Sequence, residues 1–97
     1  MSCGGATSRT AYVDLATQAV IQGTVVRAGR PVQGAYVRLL DRGGEFTAEV
    51  PTGAAGEFRF FAAAGVWTVR VLAAGSPAVE ATVSAATGAV AEVELTL

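Results

Sequence analysis

Histidine, lysine and asparagine are absent from the 97 residues of the chain, which contains one cysteine. Without histidine, the chain lacks the commonest general base and the commonest metal ligand of proteins. A single cysteine excludes an internal disulfide and a zinc site built from several thiolates. Without lysine there is neither a Schiff-base lysine nor a P-loop lysine. The composition therefore predicts a protein that is not an enzyme and that holds no metal and no cofactor.

Charge and hydropathy exclude two further classes of partner. The formal net charge is −1, and the seven cations, all arginine, are scattered among eight acids, whereas nucleic-acid-binding domains carry a basic stripe. No apolar run approaches the ~18 residues that are needed to span a membrane. Residues 1–15 also lack the basic and apolar regions of a secretory signal. We therefore expect no nucleic-acid partner, no membrane partner and a cytoplasmic protein.

The chain divides into a short arm and one domain. Residues 1–17 are rich in small, turn-prone residues and show no regular hydropathy period, so we predict a flexible N-terminal arm. From Gln18 onward apolar and polar residues alternate, which is the pattern of half-buried β-strands. Residues 18–97 are enough for one small domain with a single two-layer core.

Seven strands are predicted in the domain, spaced about ten residues apart and separated by turns that contain glycine or proline. They cover residues 19–27, 35–41, 45–50, 57–61, 66–72, 78–84 and 89–97. We expect the fourth and fifth of them to form a hairpin with a four-residue loop, in which Phe60 faces Trp67. No window shows helical periodicity with caps. The predicted fold class is all-β.

Alternation along the strands also predicts the direction of each side chain. The residues expected to point into the core include Val37, Leu39, Phe46, Phe58, Phe60, Trp67, Val69 and Val71. The residues expected to point outward include Tyr36, Arg38, Leu40, Arg59, Phe61, Arg70 and Leu72.

Four motifs resemble the carboxypeptidase-regulatory-like domain, a prealbumin-like sandwich. They are Ile21-x-Gly23-x-Val25, Pro31-Val32-x-Gly34-Ala35-x-Val37-x-Leu39, Gly56-x-Phe58-x-Phe60 and Gly65-x-Trp67-x-Val69-x-Val71. The resemblance implies a seven-stranded Greek-key β-sandwich. Its glycines and alternating apolar residues specify a fold and not a chemistry.

Four further segments resemble the SseC-like family of actinobacterial proteins, whose function is unknown. They are Val37-Arg38-Leu39-Leu40-Asp41, Glu45-Phe46-Thr47-Ala48-Glu49-Val50, Phe58-Arg59-Phe60-Phe61-Ala62-Ala63 and Trp67-Thr68-Val69-Arg70. Genes of that family typically neighbour a thiosulfate sulfurtransferase, and its members carry a cysteine near the N-terminus, which Cys3 matches here. The resemblance implies a role in sulfur metabolism beside a thiosulfate sulfurtransferase.

The functional hypothesis that follows is an accessory interaction protein that presents the thiol of Cys3 as a sulfur acceptor. The alternative for Cys3 is an exposed tail cysteine without function. The candidate partner-binding residues are Tyr36, Arg38, Arg59, Phe61 and Arg70, because outward aromatic and arginine side chains are typical of protein interfaces. The alternative for the arginines is a set of ordinary cross-strand pairs. A second functional hypothesis is a generic protein- or carbohydrate-binding module that uses an outer sheet face.

Overall fold

The alternating segments form strands that pack as two sheets, and the computed structural model describes residues 18–97 of the chain. This part of the chain contains eight strands and no helix. The strands are β1 (Ala19–Arg27), β2 (Arg30–Pro31), β3 (Tyr36–Leu40), β4 (Phe46–Pro51), β5 (Glu57–Ala62), β6 (Gly65–Leu72), β7 (Val79–Ala85) and β8 (Val90–Thr96).

The first sheet is built around β1, and we call it the β1 sheet. β5 and the short β2 pair antiparallel with successive parts of β1, whereas β8 runs parallel to β1. The second sheet, which we call the β3 sheet, has the order β4-β3-β6-β7 and is antiparallel throughout. The chain passes from one sheet to the other after β2, β4, β5 and β7. Such crossing connections are typical of Greek-key sandwiches.

The inner faces of the two sheets share one apolar core. Its largest fully buried side chains come from both sheets and are Ile21, Leu39, Leu95, Val25, Val37, Val69 and Val71. Phe58 and Phe60 belong to the same core, with their ring centroids 6.0 Å apart. Moving each such side chain out of water stabilises the fold by about 1.5–3 kcal/mol. The all-β sandwich predicted from the sequence is confirmed.

A buried threonine ties two connections together at one end of the sandwich. The Thr52 hydroxyl donates to the Val32 carbonyl oxygen at 2.6 Å and accepts the Ala35 N–H at 3.0 Å. The Thr52 N–H donates to the Ala35 carbonyl oxygen at 2.8 Å. Because the hydroxyl and the N–H of this buried residue both have partners, its burial carries little desolvation cost. The β2–β3 and β4–β5 connections are therefore held in a fixed relation.

The predicted hairpin between residues 57–61 and 66–72 is wrong. β5 pairs with β1, where Phe60 faces Ile21. β6 lies in the other sheet, between β3 and β7. The chain changes sheet at residues 63–64. Both strands still bury one side in the shared core, so the alternation within each strand is the same for a hairpin and for a crossover.

A β-bulge in β4 overturns the predicted direction of Phe46. Leu39 faces Ala48 but Leu40 faces Phe46, so Thr47 is an extra residue on β4. The extra residue reverses the side to which the adjoining part of the strand points. Phe46, predicted to lie in the core, is 62% exposed. Leu40 lies on the outer side of the sheet as predicted, opposite Phe46 and Thr68, but it is only 6% exposed because its strand is central and has neighbours on both sides.

Two smaller differences concern Trp67 and the number of strands. Trp67 lies at the margin of the core and not within it: its side chain is half-buried, and its Nε1–H donates to the Ala63 carbonyl oxygen at 2.9 Å. The strand count is eight rather than seven because Arg30 and Pro31 pair with the end of β1. Neither difference changes the class of the fold.

Candidate functional site

The outer face of the β3 sheet carries a row of four charged side chains across its four strands. Glu49, Arg38, Arg70 and Glu80 lie opposite one another on β4, β3, β6 and β7. The Arg38 Nε donates to Oε1 of Glu49 at 2.7 Å, and the Arg70 Nε donates to Oε2 of Glu80 at 2.8 Å. Each glutamate offsets one arginine, so the row has no net charge.

The two arginines stand directly opposite each other in the middle of this row. Like charges in that position destabilise a sheet, and the flanking carboxylates offset the repulsion. The four side chains are 30–51% exposed, so each ion pair contributes about 0.2–1 kcal/mol. The main effect of the pairs is therefore to fix the positions of two guanidinium groups on the surface.

Exposed apolar side chains lie around the charged row. Tyr36 is 52% exposed, Phe46 is 62% exposed and Val66 is 36% exposed. The Arg38 Cζ lies 5.9 Å from the centroid of the Phe46 ring, which is a cation–π distance. Aromatic and arginine side chains are enriched at the centres of protein–protein interfaces. We call this surface the β3 face; it has the composition of a protein-binding surface.

The structure brings together only part of the predicted set of partner-binding residues. Tyr36, Arg38 and Arg70 share the β3 face. Arg59 and Phe61 lie on β5, which belongs to the β1 sheet. The five residues therefore form two separate groups on opposite sides of the sandwich.

Phe46 is a member of the β3 face that the sequence analysis missed. Strict alternation from Ala48 and Val50 points it inward, toward the core. The bulge that turns it outward is formed at Thr47, an ordinary residue for a strand. No local feature of the sequence distinguishes this bulge.

On the opposite side of the sandwich, Arg59 takes part in a hydrogen-bonded chain across three strands. The Arg59 Nε donates to Oε1 of Gln22 at 2.9 Å, and the Gln22 Nε2 donates to Oε2 of Glu92 at 2.8 Å. Phe61 is half-buried and faces Val20. These contacts occupy Arg59 within its own sheet, so it is less available to a partner than the aromatic residues of the β3 face.

A shallow groove of about 750 Å³ adjoins this chain of hydrogen bonds. Its polar lining comes mainly from Gln22, Thr24, Glu57, Arg59, Glu92 and Glu94. Nowhere in residues 18–97 do three or more carboxylate or thiol side chains converge as they would around a metal ion. The groove is therefore an acidic and polar surface without a metal-ligand cluster.

Two of the sequence predictions fall outside the described residues. Cys3, the candidate sulfur acceptor, and the N-terminal arm both belong to residues 1–17, whereas the structure covers residues 18–97. Across that described range there is no helix of the length and hydropathy that a membrane span requires.

Relatives of the chain are described only as uncharacterized proteins. The family model described as "Protein of unknown function (DUF1416)" matches residues 3–97. An uncharacterized protein of Mycolicibacterium smegmatis is 60% identical over 63 residues, which are 64% of this chain and 70% of that protein. An uncharacterized protein of Mycobacterium tuberculosis is 58% identical over 65 residues, which are 66% of this chain and 65% of that protein. The match spans about two thirds of the length of these relatives.

Solved structures share the sandwich at low sequence identity. The dioxygenase domain of a dioxygenase carbohydrate-binding protein fusion from Streptomyces sp. SirexAA-E has a TM-score of 0.67 at 17% identity, with 84% of this chain and 79% of that chain covered. The minor pilin GBS52 of Streptococcus agalactiae has a TM-score of 0.69 at 12% identity, with 82% and 44% covered. A DUF3823 family protein from Parabacteroides merdae has a TM-score of 0.60 at 19% identity, with 84% and 46% covered. The likeness concerns the fold alone, because one sandwich fold hosts many functions.

Proposed function

We propose that this chain, which belongs to the DUF1416 family of proteins of unknown function, is a non-catalytic accessory protein that binds a thiosulfate sulfurtransferase through the β3 face. The observation that carries the proposal is the combination of exposed Tyr36 and Phe46 with two arginines held in register by ion pairs. Rigid aromatic side chains and arginines supply most of the binding energy in typical interfaces. A neutral row among them lets a partner approach without a net electrostatic penalty.

The identity of the partner rests on the sequence resemblance to the SseC-like family, whose genes typically neighbour the gene of a thiosulfate sulfurtransferase. In this proposal the β3 face binds the enzyme, and residues 1–17 present the Cys3 thiol to it. The Cys3 thiolate would attack the outer sulfur of the persulfide on the enzyme. A new S–S bond forms on Cys3, the S–S bond of the enzyme persulfide breaks, and the enzyme thiolate leaves. We place the complex in the cytoplasm, where thiols stay reduced.

Binding to the purified sulfurtransferase tests the β3 face. We expect the double variant Tyr36→Ala, Phe46→Ala to weaken the complex at least about tenfold, since each exposed aromatic anchor of an interface is worth about 1 kcal/mol or more. Val90→Ala is the matched control, because Val90 is 47% exposed but lies on the β1 sheet. Calorimetry or surface plasmon resonance measures both. Equal affinity for the double variant and the control would overturn the role of the β3 face.

Transfer of labelled sulfur tests the role of Cys3 separately. The enzyme is loaded from thiosulfate labelled at the outer sulfur and then mixed with this protein. We expect intact-mass spectrometry to show the gain of one sulfur atom, abolished in Cys3→Ser, while the affinity for the enzyme is unchanged. A complex that forms without sulfur transfer would leave the β3 face as the interface and remove Cys3 from the proposal.

A further inference from the structure

β8 forms an edge of the β1 sheet. It pairs with β1 along one side, and among the strands of residues 18–97 none pairs with its other side. The strand has seven residues and contains no proline, no glycine and no bulge. An edge strand with these properties is a template on which another strand can form hydrogen bonds.

The direction of the backbone groups of β8 follows from the hydrogen bonds at its two ends. The Val20 N–H donates to the Ala89 carbonyl oxygen at 3.0 Å, and the Leu97 N–H donates to the Val26 carbonyl oxygen at 2.8 Å. The register between these ends is continuous. In a parallel ladder the bonding residues alternate along the strand. The odd-numbered residues of β8 therefore bond to β1, and the even-numbered residues direct their N–H and C=O groups away from it.

The two edges of the β3 sheet are less suited to pairing. β4, an edge of the β3 sheet, contains a bulge and ends at Pro51, and both features are common protections of edge strands. β7, the opposite edge, carries Glu80, which is already paired with Arg70. β8 is a regular edge whose two glutamates form no ion pair within residues 18–97; β5, the other edge of the β1 sheet, carries Arg59 between two phenylalanines.

The outer side of β8 is acidic. Glu92 and Glu94 are both exposed, and both lie at positions whose backbone groups point away from β1. Within the described residues neither glutamate forms an ion pair, although Glu92 accepts a hydrogen bond from Gln22. Opposite charges on directly facing residues stabilise a pair of strands, and like charges destabilise it.

This charge pattern disfavours a second copy of the chain as the occupant of the edge. An antiparallel pairing of two β8 strands centred on Val93 places Glu92 opposite Glu94. Shifting the centre by one residue in either direction places Glu92 opposite Glu92 or Glu94 opposite Glu94. Every antiparallel register that pairs most of the strand thus sets carboxylates against each other. The occupant that suits the edge has cationic side chains at alternate positions.

We propose that the β8 edge is a binding site for an extended segment of a partner protein in which arginine or lysine occurs at every second position. The segment would add a strand to the β1 sheet, with backbone hydrogen bonds to Glu92 and Glu94 and with its cations facing their carboxylates. Such strand addition is an established mode of peptide recognition, in which the backbone provides affinity and alternate side chains provide specificity. The site lies on the β1 sheet and uses no residue of the β3 face.

Amide hydrogen exchange tests the site directly on the unmodified protein. The probe is a short peptide in which arginine alternates with threonine and valine, compared with a peptide of the same composition whose arginines are consecutive. We expect the Glu92 and Glu94 amides to exchange rapidly in the free protein and to become protected by the alternating peptide alone. Slow exchange in the free protein would mean that residues 1–17 or a second copy already occupy the edge, which overturns the proposal. Equal binding of the two peptides would also overturn it.

Two substitutions at one position separate the backbone contribution from the charge. Glu94→Gln removes the carboxylate and keeps the outward N–H; we expect peptide affinity to fall about threefold, the scale of an exposed ion pair. Glu94→Pro also removes the N–H, which β1 does not use, and we expect a further loss of about fivefold or more. Glu45→Gln, an exposed acid outside the β1 sheet, is the control and should bind normally. Equal affinities of the Glu94→Gln and Glu94→Pro variants would overturn strand addition.

Discussion

The substitution Gly23→Ala tests the pairing of β1 with β8. Gly23 faces Val93 across the parallel pair. A Cβ at residue 23 would overlap the Val93 carbonyl oxygen and would lie 2.8 Å from the Val93 carbonyl carbon and 3.0 Å from Cζ of Phe58. Both Val93 atoms belong to the backbone, so a rotamer change cannot relieve the overlap. β8 would have to move away from β1.

The cost can be worked from the contacts that this movement breaks. Overpacking a well-packed site costs about 1–3 kcal/mol. Losing the two ladder hydrogen bonds next to Val93 adds about 0.5–1.5 kcal/mol each. Replacing glycine by alanine stabilises the protein by about 0.4–1 kcal/mol, because it restricts the unfolded chain. The net destabilisation is about 1–5.5 kcal/mol, against a total stability of about 4–12 kcal/mol for a domain of this size. The melting temperature should fall by at least about 4 °C, and by about 40 °C at the upper end of this range.

Urea unfolding and thermal melting followed by circular dichroism measure this loss. Gly43→Ala is the matched control, because its added Cβ would meet only Oδ1 of Asp41 at 3.5 Å, and Gly43 does not have a positive φ. We expect the control to change stability by less than about 0.5 kcal/mol. If Gly23→Ala melts at the temperature of the control, the close approach of β8 to β1 is wrong.

Three further substitutions probe other parts of the fold through the same unfolding measurements. Thr52→Val should lower the free energy of unfolding by about 1–3 kcal/mol, because the buried Ala35 N–H loses its acceptor, the Thr52 hydroxyl. An unchanged free energy of unfolding would contradict the role of this hydroxyl in joining the β2–β3 and β4–β5 connections. Ala28→Asn should stabilise the protein by about 0.5–1 kcal/mol, because Ala28 has a φ of 52° and asparagine tolerates that conformation in a two-residue hairpin turn; a loss of stability would refute this. Trp67→Phe should cost about 1 kcal/mol through loss of the bond to the Ala63 carbonyl oxygen, and an unchanged unfolding midpoint would show that this bond does not contribute.

The strand positions and most buried side chains can be predicted from the sequence, because both depend on local alternation. Alternation predicts the first strand at residues 19–27, the bounds that β1 has. Val37, Val69 and Val71 are buried as expected. Alternation indicates which side chains of a strand face the core and which face solvent. This assignment does not depend on which neighbour the strand pairs with.

Strand pairing cannot be predicted in the same way. A hairpin and a crossover place the same side chains of residues 57–61 and 66–72 in the core. The small residues Ala62–Gly65 are compatible with either connection, and in the crossover Gly65 adopts a φ of 144°, a backbone conformation that favours glycine. Burial of Phe60 against Ile21 rather than beside Trp67 is decided by the rest of the core. The energy that distinguishes the two pairings comes from contacts far apart in the sequence, which no local window contains.

The same limit explains why the candidate site is only partly predictable. Tyr36, Arg38 and Arg70 each point outward on their own strand, and they share the β3 face because β3 and β6 are neighbours. Arg59 points outward by the same rule, but on the other sheet. Phe46 joins the face only because the bulge shifts its register. Outward direction is a property of one strand, whereas a binding face is a property of the pairing between strands. Sequence alternation can therefore nominate the members of such a face, but only the topology can assemble them.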